Sequence, residues 1–316
     1  MEKEFDLLSM GEVLLRLSPP EHERLVQSRV FEKQIGGAEL NVAAGAALLG
    51  LRTGIVSRIP SNSIGEFARN RILACGVRDD YLLSDRSADA RLGIYYYENG
   101  AYPRSPGIVY DRGHSSIAGI NIREFGERIY GSARCFHTSG ITLALGGTCR
   151  DTVIQMIKRF KEAGTCISFD VNFRLNLWSG KEARACIEQI LPYVDIFLID
   201  YKVTDPEVYK KYVGGDNSKV EENIRRLYAS GAKLRIRCPI IPGVNDTEDH
   251  FNKIAELTKE LPDVEGAEIL PYHKLGVSKA ARIGIESEEF EMPSNETVAE
   301  WKNYIWSQGG RLVNAD

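Results

Sequence analysis

The sequence predicts an α/β protein built on parallel strands. Apolar runs of strand length alternate with amphipathic helix-length segments almost throughout, and glycine closes several of those helices. The chain has 316 residues, 43% of them hydrophobic and 27% charged, enough for one large domain or two modest ones with a real core.

Phe5–Met10 reads as a short apolar strand and Val13–Leu17 as a second. Gly37–Leu51 is Ala-rich with apolar residues at helical spacing, which predicts a buried helix. Gly54–Ile59 follows as a strand, and Gly65–Cys75 as a helix closed by Gly76. Arg91–Tyr97 and Ile108–Arg112 read as a hairpin with a long Gly- and Pro-containing connection. Ala133–His137 is strand-like, Arg150–Glu162 a helix ending at Gly164, and Thr165–Val171 a strand. Gly180–Leu191 is a helix and Val194–Asp200 an apolar strand. Beyond it come helix Val220–Ser230, strand Lys233–Cys238, helix Thr247–Leu261, strand Val264–Leu270 and a last helix from about Glu296 to Ser307. Strands separated by helices of this length imply parallel βαβ units with right-handed crossovers. Neither an internal repeat nor a low-complexity linker marks a boundary.

The net charge of −4 gives no reason to expect a nucleic-acid or membrane-surface partner. Met1–Phe5 carries alternating charges without an apolar core, so no secretory signal is read, and no apolar run reaches the ~20 residues of a membrane span. A cytoplasmic location is expected. The cysteines, Cys75, Cys135, Cys149, Cys166, Cys186 and Cys238, are scattered without a CxxC, and so read as buried thiols rather than disulfides. The five histidines are scattered too, and no metal site is expected.

Function must be read from motifs. In GGAELNVAAGAALLGL, Gly36–Leu51, a Gly-Gly turn runs into a helix with Asn41 in its first turns. Glycines let backbone amides approach a ligand, and Asn offers a donor and an acceptor to sugar hydroxyls. By itself such a run more often serves packing. GEVLLRLSPP (Gly11–Pro20), YYYENGAYPRSPGIVYDRGHSSIA (Tyr95–Ala118), FHTSGITLAL (Phe136–Leu145) and SFDVNFRLNLW (Ser168–Trp178) accompany it in order. Together, over roughly residues 4–198, they resemble the ribokinase-like (PfkB-type) sugar kinases, in particular the 2-keto-3-deoxygluconate kinase branch.

That resemblance implies a Rossmann-like parallel sheet with a small β-lid, about residues 12–34 and 91–112, closing over a small-molecule sugar acid. It also allows a homodimer through the lid. By position, Gly37 and Asn41 would bind sugar hydroxyls, Tyr95 and Tyr110 would pack on or bond to the substrate, and Asn172 would lie in the same pocket. Arg112 and Arg174 would meet the carboxylate, whose two oxygens match a guanidinium fork. Strand-face packing is an equal reading for the tyrosines, and a surface salt bridge an alternative for Arg174. Ser61-Asn62-Ser63-Ile64-Gly65 departs from the family, which has acidic residues before that glycine.

The family also implies ATP with Mg²⁺ and a C-terminal Gly-Ala-Gly-Asp run. There helix-terminal amides stabilise the transferring phosphate while the Asp takes the hydroxyl proton. Val213-Gly214-Gly215-Asp216 is the nearest match here and reads as a turn before the next helix. No catalytic residue is identified, and weak or absent transfer is expected.

From about Val194 the chain resembles another family. DIFLIDYKVTDPEVYKKYVGGDN (Asp195–Asn217), ENIRRL (Glu222–Leu227), RIRCPIIPGVNDTED (Arg235–Asp249) and AEILPYHKLGVSK (Ala267–Lys279) are similar to the C-terminal half of radical SAM activating enzymes for glycyl radical enzymes. That similarity implies later β/α units of a partial barrel, with Asp200, Lys202, Arg237 and His273 as S-adenosylmethionine-type contacts. The family's clustered cysteines are absent, so no iron–sulfur cluster is expected. The reading is therefore chimeric: 1–198 a sugar-binding portion and 199–316 an activase-like portion whose strands extend the front sheet. The alternative is an S-adenosylmethionine-binding remnant.

Overall fold

The computed structural model describes residues 3–100, 104–274, 288 and 290–313. Two units are resolved, Met1–Asp195 and Ile196–Asp316. Ala101, Tyr102 and Pro103 of the Tyr95–Ala118 motif, and the last five residues of the Ala267–Lys279 motif, lie outside the described residues.

In the front unit the strands are β1 (Phe5–Met10), β2 (Leu14–Ser18), β3 (Glu32–Gly36), β4 (Thr53–Pro60), β5 (Val77–Asp85), β6 (Gly93–Glu98), β7 (Gly107–Asp111), β8 (Ala133–Ser139) and β9 (Cys166–Asp170). Its helices are α1 (Ala38–Leu48), α2 (Ser63–Ala74), α3 (Arg128–Gly131), α4 (Gly140–Leu143), α5 (Gly147–Glu162) and α6 (Gly180–Ile187). The main sheet runs β5-β4-β1-β8-β9 and is parallel throughout. Such a sheet buries both faces, which is why its central strands read as near-continuous apolar runs. On one side Phe5, Leu8, Met10 and Phe136 meet α5, which buries Val153, Met156, Ile157 and Phe160 at helical spacing. Phe160 stacks on Phe136 with centroids 4.3 Å apart. On the other, Ile55 and Ile59 meet Leu40 and Ala43 of α1 and Ala68 and Ile72 of α2.

α1 corrects the expectation of a buried helix. It packs on β1, β4 and β8 through Glu39, Leu40 and Ala43, while Leu48 at its end and Leu49 just after it are exposed. Composition showed that the helix is apolar all round but not that only one side meets the sheet. At Ser61–Gly65 the departure from the family has a local explanation. Asn62 caps α2, its side chain accepting from the amides of Ile64 and Gly65 at 3.1 Å. A Cβ on Gly65 would lie 1.7 Å from the Pro60 carbonyl oxygen.

The second sheet of this unit, ordered β3-β2-β6-β7, is the lid. β2 pairs antiparallel with β3 and parallel with β6, and β6 antiparallel with β7, setting Tyr95 opposite Tyr110.

In the rear unit β10 (Phe197–Asp200), β11 (Leu234–Ile240) and β12 (Gly266–Pro271) alternate with α7 (Pro206–Tyr212), α8 (Ser218–Ala229), α9 (Glu248–Glu260) and α10 (Asn295–Ser307). They form a parallel sheet of their own, β10-β11-β12, over a core that includes Ile224, Ile236, Cys238, Phe251, Ile269 and Trp301. The expected extension of the front sheet is therefore not what forms. The amide of Ile167 on the end strand β9 donates to Asp195 Oδ2 at 3.0 Å, so a side chain takes the place of a neighbouring strand there. The cysteine reading also needs correction: Cys149, Cys186 and Cys238 are buried, but Cys75 and Cys135 are half-buried and Cys166 is exposed.

Candidate functional site

In the front unit polar groups gather where the lid meets the C-terminal ends of the strands, the edge at which open α/β sheets bind ligands. Glu12, just after β1, is 3% exposed. Its Oε1 accepts from Ser115 Oγ at 2.5 Å, and its Oε2 from Arg112 Nε at 2.9 Å and from Nη2 of the same guanidinium. One edge of the Arg112 fork is thus held, which leaves Nη1 for another acceptor.

Arg112 lies 5.7 Å from the centroid of Tyr110, whose ring is 6.1 Å from that of Tyr95. Tyr95 is half-buried, and burial pushes its phenol up, so it stays a neutral hydroxyl. Three glycines make room for this group. A Cβ on Gly36 would lie 2.8 Å from Tyr95 Oη, and one on Gly93 2.7 Å from Glu12 Oε1. Gly37 has φ 153°, and a Cβ there would lie 2.3 Å from the Glu12 carbonyl oxygen. Asn41, exposed on α1, donates its backbone N–H to the Gly37 carbonyl at 2.9 Å.

A second acid lies behind the first. Glu39, 1% exposed, accepts from Ser139 Oγ at 2.5 Å and Thr142 Oγ1 at 2.6 Å, both on Oε1. Burial pushes its carboxyl well up, and the negative charge of Glu12 adds to that. Glu39 therefore ties the start of α1 to the end of β8. The next residue, Gly140, approaches the segment after β9: a Cβ on it would lie 2.1 Å from the Val171 carbonyl oxygen. In that segment Asn172 has φ 33° and donates its backbone N–H to Asp170 Oδ1 at 3.0 Å. The exposed Arg174 donates Nη1 to the Phe173 carbonyl at 3.1 Å.

Gly37, Tyr95, Tyr110 and Arg112 therefore share one cluster, with Asn41 one turn along α1. Asn172 and Arg174 connect to it through Gly140 and Glu39 rather than directly. Sequence reasoning missed Glu12, Glu39, Ser115, Ser139 and Thr142. The available signal was an acid placed among residues otherwise destined for burial, Glu12 between two strands and Glu39 beside Leu40 in an apolar helix.

Gly214 and Gly215 take φ 77° and 124°, and Asp216 accepts from the Ser218 amide at 2.9 Å at the start of α8. Asp216 thus satisfies one amide at the start of α8 and also accepts from the Ser218 hydroxyl at 2.7 Å.

In the rear unit Asp200, the last residue of β10, lies 3.6 Å from Arg237 opposite it in the middle of β11 and 3.9 Å from Lys202 just beyond β10. His273 is exposed beyond β12. Asn245 explains the Pro-Gly-Val-Asn-Asp run structurally. Its Nδ2 donates to the carbonyls of Lys202 and Pro239 at 2.6 and 2.7 Å, and its Oδ1 accepts from the Ile241 amide at 2.7 Å. Among the described residues no group of three or more His, Cys, Asp or Glu could hold a metal, and no helix is long and apolar enough to cross a membrane.

A parallel sheet with a β-lid, and a buried acid anchoring the arginine at the end of the last lid strand, define a sugar-kinase type of α/β protein. The chain belongs to the pfkB family of carbohydrate kinases, whose family model matches residues 4–200. It is similar to the 2-dehydro-3-deoxygalactonokinase of Haloferax volcanii, 38% identical over 193 residues, which make up 61% of this chain and 60% of that one. The chain thus spans about three fifths of that relative's length. Among solved structures it resembles the 2-dehydro-3-deoxygluconokinase of Thermotoga maritima, with TM-score 0.62 and 32% identity, covering 84% of this chain and 72% of the other. A sugar kinase of Pyrococcus horikoshii in complex with ATP matches with TM-score 0.56 and 25% identity, covering 73% and 70%.

Proposed function

We propose that the front unit binds a sugar acid of the 2-keto-3-deoxygluconate class under its lid, and that phosphoryl transfer by this chain is weak or absent. The observation that carries the reading is Arg112, held along one edge by Glu12 beside Tyr95 and Tyr110. A guanidinium fixed in this way presents a directed donor to a carboxylate without an ordering cost at binding. Arg174 adds a second cation. Gly37, Asn41 and Asn172 meet hydroxyls, and Tyr95 and Tyr110 wall the ring. The names of the Haloferax and Thermotoga relatives favour the same substrate class.

ATP with Mg²⁺ is the phosphoryl donor that family membership suggests, and the Pyrococcus relative was solved with ATP. The engagement of Asp216 by the Ser218 amide and hydroxyl favours binding without efficient transfer. Calorimetry with 2-keto-3-deoxygluconate beside an ADP-release assay tests this. Binding heat with no ADP above background is expected, and robust turnover would overturn it. The exposed Ile108 and Val109 on β7 support a homodimer through the lid, measurable by light scattering. For the rear unit, the Asp200–Arg237–Lys202 cluster favours a second reading, S-adenosylmethionine binding, which the same calorimeter tests.

A further inference from the structure

β8 and β9 are parallel neighbours, and Cys135 stands directly opposite Cys166. Such strands lie about 4.8 Å apart, and paired residues point to the same face. The next rung on that face already shows side-chain contact, with His137 Nδ1 and Ser168 Oγ 2.9 Å apart. Two residues earlier on each strand, the thiols occupy the equivalent position. A disulfide needs Cα atoms about 4.4–6.8 Å apart, a range that an in-register pair satisfies. Cys166 is exposed and Cys135 half-buried, so the pair is open to solvent from one side. Neither thiol takes part in the sugar site.

We propose that Cys135 and Cys166 form a redox-modifiable dithiol that closes to an intramolecular disulfide when a peroxide is the oxidant. Cys166 sulfur attacks a peroxide oxygen and the O–O bond breaks. One water leaves, and Cys166 becomes a sulfenic acid. Cys135 sulfur then attacks the Cys166 sulfur, the S–O bond breaks, and the hydroxyl leaves with the Cys135 proton as a second water. Two thiols are oxidised and one peroxide is reduced to two waters. Burial and the neighbouring Cys166 push the Cys135 thiol up to about 12, which makes Cys166 the thiol that meets the oxidant. The bond ties β8 to β9, the strand that precedes the segment carrying Asn172 and Arg174.

The test treats the full chain with hydrogen peroxide, blocks the remaining thiols and maps peptides without reduction. Expected is loss of two of the six thiols, their return with reductant, and one linked peptide joining Cys135 to Cys166. Six retained thiols, a sulfinic or sulfonic Cys166 without a link, or links elsewhere or between copies would overturn the proposal. In Cys135→Ser, a folded protein should trap a Cys166 sulfenic acid that a dimedone probe labels. Absence of that label would overturn the order of steps, and if the variant does not fold, the wild-type map alone decides.

Discussion

Glu12 and Arg112, one hundred residues apart in sequence, form an ion pair between a buried carboxylate and a half-buried guanidinium, joining the end of β1 to the end of the last lid strand. Glu12 also accepts from Ser115, so removing its carboxylate leaves a half-buried guanidinium and a buried hydroxyl without their acceptor. Glu12→Ala should cost about 3–5 kcal/mol of front-unit stability, measured by urea unfolding. Glu12→Gln keeps the shape and should cost less, while still weakening sugar-acid binding by loosening Arg112.

Glu39 gives stability a pH dependence of definite sign. Its folded carboxyl is raised above the ordinary 4.5, so its contribution is fully present below that value and is lost as pH rises through the folded value. Glu39→Gln removes the ionisable group but keeps an acceptor for Ser139 and Thr142. Urea midpoints at about pH 5 and about pH 8 should diverge, the variant gaining on wild type at the higher pH. Parallel curves would show that Glu39 does not titrate in this way.

The architecture was legible wherever burial wrote a period into the sequence. β1, β4, β8, α5 and α9 carry apolar runs or helical stripes and fall within a few residues of their expected bounds. β3 and β5 were not legible, because Glu32–Gly36 is an exposed lid-edge strand and Val77–Asp85 alternates irregularly at the edge of the main sheet. At the site, Gly37, Tyr95, Tyr110 and Arg112 could be located from motifs. The anchoring of Arg112 by Glu12 could not, since only the fold brings the two together.

Gly37→Ala tests the close approach beneath the lid. At φ 153° a side chain is strained, and its Cβ would collide with the Glu12 carbonyl. The substitution should cost about 1–3 kcal/mol or more. It should also displace the segment carrying Glu12, so sugar-acid affinity should fall with stability. An unchanged melting midpoint would contradict this packing.

The rear unit should be acid-sensitive through His250. Burial lowers its pKa from an ordinary 6.5 to about 4, with Nδ1 2.8 Å from Thr204 Oγ1. A depressed folded value means the stabilisation is present above 6.5 and is lost as pH falls towards 4. The loss should approach about 3 kcal/mol. Hydrogen exchange of α9 peptides reads it, and His250→Gln should flatten the profile.

The most direct measurement is a calorimetric titration of 2-keto-3-deoxygluconate, and of an uncharged hexose, into wild type, Arg112→Ala and Arg174→Ala. Expected is saturable binding of the acid by wild type, at least tenfold (about 1.4 kcal/mol) weaker in each variant, with little response to the neutral sugar. No binding of the acid by folded wild type, or equal affinity for acid and neutral sugar, would contradict a carboxylate-reading site under the lid.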